Sequence, residues 1–371
     1  MTRTTMGLYE HLEKERVRHQ IPGMAGLIRW PDGLVEFLNW GSRDGQGVEP
    51  VDEDTVFGIA SLTKTFTATA LLQLAAAGRV DLEDRLVNFF PDFSHVIPNG
   101  GQVRLRHLLS HASGLPEYSR AFNLATKWNS YTAAQQRRYQ AEVGPIGPPM
   151  ETVDDLIAAM RRERLAPAGR PGERFQYSNE GYALIGHVIE ALSGRSYEEY
   201  LREHVFEPRL MKRSRVSVPD AADGPVTALF EMGGDGRPVE IPAWPQGPAT
   251  LADGFLRTTT EDLARYLGAF IEMGSDSAAL LPEGWRRRME TPRVLIGEGS
   301  TEGPWYGLGW YLDRYAGARR MYHTGDMSGV ASYMAVLPDH GIAVALLSNL
   351  TGAPASTLGP LLLGRAWQDA A

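Results

Sequence analysis

The sequence predicts an α+β fold: one mainly antiparallel sheet flanked by helices, with a largely helical region inserted between its two halves. Three observations predict it. Short apolar runs joined by turn residues occur at the start of the chain and again in its last third. The stretch between them carries helical periodicity and helix-capping residues. At 371 residues the chain is long enough for about two domains and a large core.

Taken in order, residues 7–19 (GLYEHLEKERVRH) read as an amphipathic helix that Ile21-Pro22-Gly23 ends. Met24 to Trp30 and Leu34 to Trp40 read as two strands around Pro31-Asp32-Gly33, and Asp-Gly is a strong hairpin signal. Val56 to Ala60 is a further short apolar run. From Ser61 to Ala77 the pattern is a helix, closed by Gly78. The middle of the chain predicts helices at Arg104 to His111, Val153 to Arg164, Glu180 to Leu192, Tyr197 to His204 and Glu261 to Met273. Thr152 with Asp155, Ser196 with Glu199 and Thr259 with Asp262 have the spacing of capping boxes. Pro116 to Met150 and Val218 to Gly254 read as irregular, and loops of that length are often lids or binding loops. In the last third, Leu308 to Tyr315 pairs with Arg319 to His323 across Ala316-Gly317. Val330 to Leu337 pairs with Ile342 to Ser348 across Pro338-Asp339-His340-Gly341. Ala355 to Trp367 reads as a closing helix. The two strands from the start and those of the last third then form one sheet, covered by the first and last helices. The expected division is 1–75 with 253–371 for the sheet domain and 76–252 for the helical one, with the active site between them.

Composition narrows the function. Lys and Arg total 37 against 45 Asp and Glu, a formal charge of −8, which argues against nucleic acid and against an anionic membrane surface. The chain has no cysteine, so disulfide scaffolds, zinc ribbons and cysteine nucleophiles are excluded. Met1 to Gln20 is charged, with no apolar stretch typical of a signal peptide, and the default location is cytoplasmic. Signatures for a nucleophile elbow, a phosphate-binding loop, a dinucleotide fold and a zinc protease are absent. His107 and His111 stand four apart and would share a helix face. No acidic residue lies between them, so local packing or capping is the better reading than metal binding.

Three short motifs remain. In Ser61-Leu62-Thr63-Lys64 the serine and lysine are three apart on a helix and share a face. A serine hydroxyl needs a base to take its proton, and a lysine serves only if its surroundings lower its pKa. In Tyr177-Ser178-Asn179 the phenol could share a proton shuttle and the amide could bind a carbonyl or hold the lysine. His323-Thr324-Gly325 falls at a strand end, where backbone groups could pair with a peptide-like substrate.

Each motif alone is weak, but their order and spacing are specific. With Arg106 to Pro116 (RHLLSHASGLP), Pro171-Gly172-Glu173, Gly181-Tyr182 and Tyr306 to Trp310 (YGLGW), nearly the whole chain resembles the serine β-lactamase and penicillin-binding-protein superfamily. The likeness is to its class-C-like, D,D-peptidase and family VIII esterase branch. The resemblance implies a β-lactamase/transpeptidase-like fold and a two-step acyl transfer without metal or organic cofactor. It implies Ser61 as the acylated nucleophile, Lys64 and Tyr177 as sharers of the general-base role, and Asn179 as a contact to the substrate carbonyl. His323, Thr324 and Gly325 would line the substrate, and the backbone N–H groups of Ser61 and Asp326 would form the oxyanion hole.

One position departs from β-lactamases, which usually carry lysine where this chain has His323. A lysine is a permanent cation that can anchor a carboxylate, whereas a histidine is largely neutral at pH 7 unless perturbed. That moves the expected activity from β-lactams toward a carboxylesterase, with a D-stereospecific peptidase or amidase as the alternative. A weak β-lactamase and a non-catalytic ligand-binding module are further alternatives. The expected partner is a small ester, amide or peptide substrate. Trp128, Trp244 and Pro-rich turns in the two irregular stretches predict an apolar or aromatic-lined cleft.

Overall fold

The computed structural model describes residues 5–219, 224–271, 279–297 and 303–370. The N-terminal helix α1 (Met6–Arg18) leads into β1 (Gly23–Arg29) and β2 (Val35–Gly41), joined by the expected turn at Gly33. The two-residue β3 (Phe57–Gly58) precedes α2 (Thr63–Ala76). Then come α3 (Leu105–Leu109), α4 (Arg120–Ala125), α5 (Ala133–Val143), α6 (Val153–Glu163), α7 (Asn179–Ser193) and α8 (Tyr197–Leu201). A hairpin of β4 (Leu229–Met232) and β5 (Pro238–Ile241) follows. It is succeeded by α9 (Leu251–Gly254), β6 (Arg257–Thr258), α10 (Thr260–Gly268) and α11 (Glu283–Met289). The chain closes with β7 (Val294–Leu295), β8 (Trp305–Tyr306), β9 (Tyr311–Tyr315), β10 (Ala318–Met327), β11 (Val330–Leu337), β12 (Ile342–Ser348) and α12 (Ala355–Ala370).

The main sheet is antiparallel and orders its eight strands β2-β1-β12-β11-β10-β9-β8-β7. Met24 to Arg29 pair with Ser348 to Ala343, so the first hairpin and the last strand close one sheet across the length of the chain. Its central strands are buried on both faces. In β12, Ile342, Val344 and Leu346 pack toward α1 and α12, while Ala343, Ala345 and Leu347 pack toward α2 and α10. Successive side chains on a strand alternate faces, so a strand covered on both sides reads as an unbroken apolar run.

Helix α2 lies between the sheet and the helical region and is buried almost throughout. The hydroxyls of its threonines are satisfied. Thr65 and Thr69 donate to carbonyls one turn back, at 2.9 Å each. Thr67 donates to Ala252 O at 2.6 Å and meets Tyr197 Oη at 2.7 Å. Such bonds let hydroxyls sit in a core without the cost of a lost partner.

Four sequence expectations need correction. The stretch Pro116 to Met150 is not irregular: it holds α4 and α5, capped by Ser119 on Phe122 N and by a full Thr132–Gln135 capping box. Among its described residues, Val218 to Gly254 holds the β4–β5 hairpin and α9; residues 220–223 lie outside them. The last third supplies two more strands than expected, because β7 and β8 are two residues each and too short for a periodicity to register. Thr259 does cap α10 through Asp262 N, at 3.1 Å, but the Asp262 carboxylate accepts from Lys212 N, Arg213 N and Ser214 Oγ instead of closing a box. The expected end of that helix, residues 272–273, falls outside the described residues.

Candidate active site

The site forms where the turn before α2 meets strand β10. Ala60 takes a left-handed φ of 46°, which costs a side-chain-bearing residue about 1 kcal/mol or more. Bonds on both sides hold the turn: Ser332 Oγ donates to Ile59 O at 2.8 Å, and Thr63 Oγ1 donates to Ala60 O at 2.7 Å. Ser61 follows immediately. Gly325 of β10 lies so close that a Cβ there would stand 2.6 Å from Ile59 O and 2.9 Å from Ser61 N. Only glycine permits this approach, and it sets the Ser61 amide beside the third motif.

Lys64, one turn on, is wholly buried. Its Nζ meets Ser61 Oγ at 3.1 Å, Asn179 Oδ1 at 2.7 Å and Asp253 O at 2.6 Å. Two of those partners are obligate acceptors, and the third, a hydroxyl, can donate or accept. The surroundings therefore satisfy the amine in either protonation state. As a neutral amine it would give two protons to Asn179 and Asp253 and take the Ser61 proton. Burial pulls its pKa below the ordinary lysine value, and the Asp253 and Glu180 carboxylates oppose that shift.

The second motif comes from the segment entering α7. Ser178 caps the helix, its Oγ accepting from Gly181 N at 3.1 Å, which turns Asn179 toward Lys64. Tyr177 places its ring 5.0 Å from Lys64 Nζ. Burial pushes its phenol well above the usual range, opposed by a hydrogen bond with Ser61.

In the third motif, His323 is buried. Its Nε2 meets Tyr306 Oη at 3.0 Å and its Nδ1 meets Thr324 O at 2.7 Å. Burial, with the nearby Lys64 cation, lowers its pKa to about 3. It is thus a neutral imidazole behind the cleft, offering no surface to a ligand in this form. Thr324 and Gly325 continue β10 past Tyr322, where its pairing with β9 ends. Asp326 turns its carboxylate to accept from Gly352 N at 3.1 Å, on the loop after β12.

A cavity of about 210 Å³ opens over Ser61, lined by Asn123, Thr126, Lys127, Asn179, Glu180 and Asp253 among others. Its lining is mainly polar and charged, with Phe255 and Met327 as its large apolar members, which corrects the expected apolar or aromatic-lined cleft. Trp128 instead borders an adjoining hollow with Met150 and Pro248, and Trp244 packs over Gly58 under the Arg257 guanidinium. Glu180, Asp253 and Lys127 were not among the expected site residues. Burial raises Glu180 to about 7 and raises Asp253, while Lys64 and Lys127 pull Asp253 back. Glu180 adjoins Asn179 in the sequence; nothing in the sequence marks Asp253 or Lys127.

His107 and His111 are not on one helix face, because α3 ends at Leu109 and His111 takes a left-handed φ of 53°. His107 Nδ1 accepts from Arg104 N at 3.1 Å at the start of α3, and burial lowers its pKa to about 4. His111 Nδ1 accepts from Ser178 N at 3.1 Å.

The family model described as Beta-lactamase matches residues 9–363. Penicillin-binding protein 4 of Amycolatopsis lactamdurans is 28% identical over 353 residues, spanning 92% of this chain and 84% of that protein. The octameric penicillin-binding protein homologue from Pyrococcus abyssi superposes with a TM-score of 0.78 at 29% identity, covering 96% of this chain and 77% of that one. A D-stereospecific amidohydrolase from Streptomyces sp. superposes at 0.77 with 25% identity, covering 98% and 99%. Among the described residues, no helix is long and apolar enough to cross a membrane.

Proposed function

We propose that this chain, which belongs to the beta-lactamase family, is a serine hydrolase working by acyl transfer through Ser61. The observation that carries the reading is the wholly buried Lys64 amine at 3.1 Å from Ser61 Oγ, with obligate acceptors at its other two short contacts. Burial favours the neutral amine, which is the form able to act as a base.

Ser61 Oγ attacks the acyl carbon while its proton passes to Lys64 Nζ, and the carbonyl electron pair moves to oxygen. The Ser61 and Asp326 N–H groups receive that oxyanion. The Ser61 amide belongs to the first turn of a helix, where amides lack an intrahelical acceptor. Tyr177, kept protonated by burial, gives its proton to the departing alcohol or amine as the tetrahedral carbon collapses. Lys64 returns a proton to Tyr177, which restores both groups. Water then attacks the acyl-enzyme by the same steps in reverse. Asn179 holds Lys64 and faces the cavity, in reach of a substrate carbonyl.

The acyl donor we place first is a small carboxylic ester, in keeping with a cavity of about 210 Å³. A D-configured amino-acid amide or short peptide is the second reading. The charged lining favours it over any lipophilic ester, as does the likeness to a D-stereospecific amidohydrolase. A neutral, buried His323 supplies no cation for a β-lactam carboxylate, so cephalosporin hydrolysis is expected to be slow. The test compares wild type and Ser61→Ala on short p-nitrophenyl esters, D- and L-aminoacyl p-nitroanilides and a chromogenic cephalosporin. Ester turnover lost in the variant supports the first reading; selective cleavage of the D-anilides moves the assignment to the second. Turnover that survives in Ser61→Ala overturns both.

A further inference from the structure

His111 holds the Tyr177 segment at three points. Its backbone carbonyl accepts from Gln176 N at 2.7 Å. Its Nδ1 accepts from Ser178 N at 3.1 Å. Between those two bonds its ring lies against the Tyr177 ring, with centroids 4.1 Å apart and planes 31° apart. The residue before Tyr177, Tyr177 itself and the residue after it are thus each fixed by the one histidine.

The fold bears two costs to place it. His111 adopts a left-handed φ of 53°, which disfavours a residue with a Cβ. Its Nε2 is buried and, among the described residues, reaches no acceptor. A buried polar atom left so loses its hydration with nothing in return. Since Nδ1 accepts a hydrogen bond, the proton of the neutral ring is on Nε2. The imidazole lies among aromatic rings: the Tyr182 and Tyr306 centroids are 5.0 Å and 4.7 Å from its own, and that of Phe175 is 5.8 Å away. Local packing alone would be met more cheaply by a phenylalanine, which has no polar edge to bury. What phenylalanine lacks is the acceptor for Ser178 N–H.

We propose that His111 is a positioning residue for the acyl-transfer reaction, fixing the angle at which the Tyr177 phenol meets Ser61 and the leaving group. It touches neither Ser61 nor Lys64 by any hydrogen bond and acts through Tyr177. The inference rests on the reading of Tyr177 as a proton donor. Misplacement of a reacting group by about 1 Å can lower a rate ~10²-fold, which sets the size of effect to look for.

The experiment is a double-variant cycle read on p-nitrophenyl acetate, or on whichever probe the wild type turns over fastest. His111→Phe keeps a ring and removes the acceptor; His111→Asn keeps an acceptor near the Nδ1 position and removes the ring. His111→Phe is expected to lower kcat by ~10²-fold with KM within about threefold of wild type. His111→Asn is expected to recover at least about tenfold of that loss, since the bond to Ser178 is restored. In a Tyr177→Phe background the same His111→Phe change is expected to matter by less than about threefold, because its target is gone. A kcat near wild type in His111→Phe overturns the proposal, as does an undiminished loss in the Tyr177→Phe background. If Tyr177→Phe alone retains wild-type turnover, the reading of Tyr177 fails first and the proposal falls with it. Should His111→Phe not fold, the cycle is run with His111→Asn, whose loss must likewise vanish in the Tyr177→Phe background.

Discussion

A methyl group at Gly325 would act as a wedge between the two halves of the proposed oxyanion site. In Gly325→Ala the new Cβ stands 2.5 Å from Ser332 Oγ, 2.6 Å from Ile59 O and 2.9 Å from Ser61 N. The Ser332 hydroxyl can rotate away, but the other two atoms are backbone. To reach an ordinary contact near 3.4 Å, Ile59 O must retreat by 0.8 Å and Ser61 N by 0.5 Å. The turn cannot give easily, since Ile59 O is bonded to Ser332 and Ala60 O to Thr63. Overpacking of this kind costs about 1–3 kcal/mol of stability. A shift of that size in the proposed oxyanion donor, the Ser61 amide, is expected to lower kcat by ~10²-fold or more. The assay measures kcat and KM beside the thermal transition, with Gly101→Ala as control, since a Cβ there meets nothing within 4 Å. Turnover within about threefold of wild type, in a folded Gly325→Ala, would refute the argument that β10 and the Ser61 turn share this contact.

Lys64→Met and Tyr177→Phe are each expected to lower turnover by ~10²- to 10⁴-fold while far-ultraviolet circular dichroism stays that of the wild type; near-normal rates would remove either from proton transfer. Thr67→Val leaves Ala252 O and Tyr197 Oη short of a partner in the core, and urea titration should show a loss of about 1–3 kcal/mol. His323 has a folded pKa of about 3, below its unfolded value near 6.5. Its contribution is therefore present above pH 6.5 and lost as pH falls toward 3. His323→Gln should flatten the acid side of the stability profile relative to wild type, and identical slopes between pH 6 and pH 4 would contradict the buried neutral imidazole.

Features that follow from local spacing were legible in the sequence. The serine and lysine of the first motif face each other because residues three apart on a helix do so. The strands of the sheet were legible because β11 and β12 are covered on both faces and read as apolar runs. Hidden features were of two kinds. Helices α4 and α5 had their caps in plain view at Ser119 and at Thr132 with Gln135, but the Pro and Gly around them outweighed the caps. The charged face of the cleft was illegible for a different reason. Lys127 follows α4, Glu180 lies in α7 and Asp253 in α9, and only the packing of those elements brings them over Ser61. His111 stood in a recognisable stretch, but its bonds to residues 176 and 178 are contacts between distant segments, which spacing does not record.

Acyl transfer as proposed requires Ser61 to carry the acyl group. Intact-protein and peptide mass spectrometry after reaction with a fluorophosphonate tests it most directly, on wild type, Ser61→Ala and Lys64→Met. One adduct per wild-type chain is expected, on the peptide containing Ser61. None is expected on Ser61→Ala, and labelling of Lys64→Met should slow by orders of magnitude. An adduct on another residue, or unchanged labelling of Ser61→Ala, would contradict it.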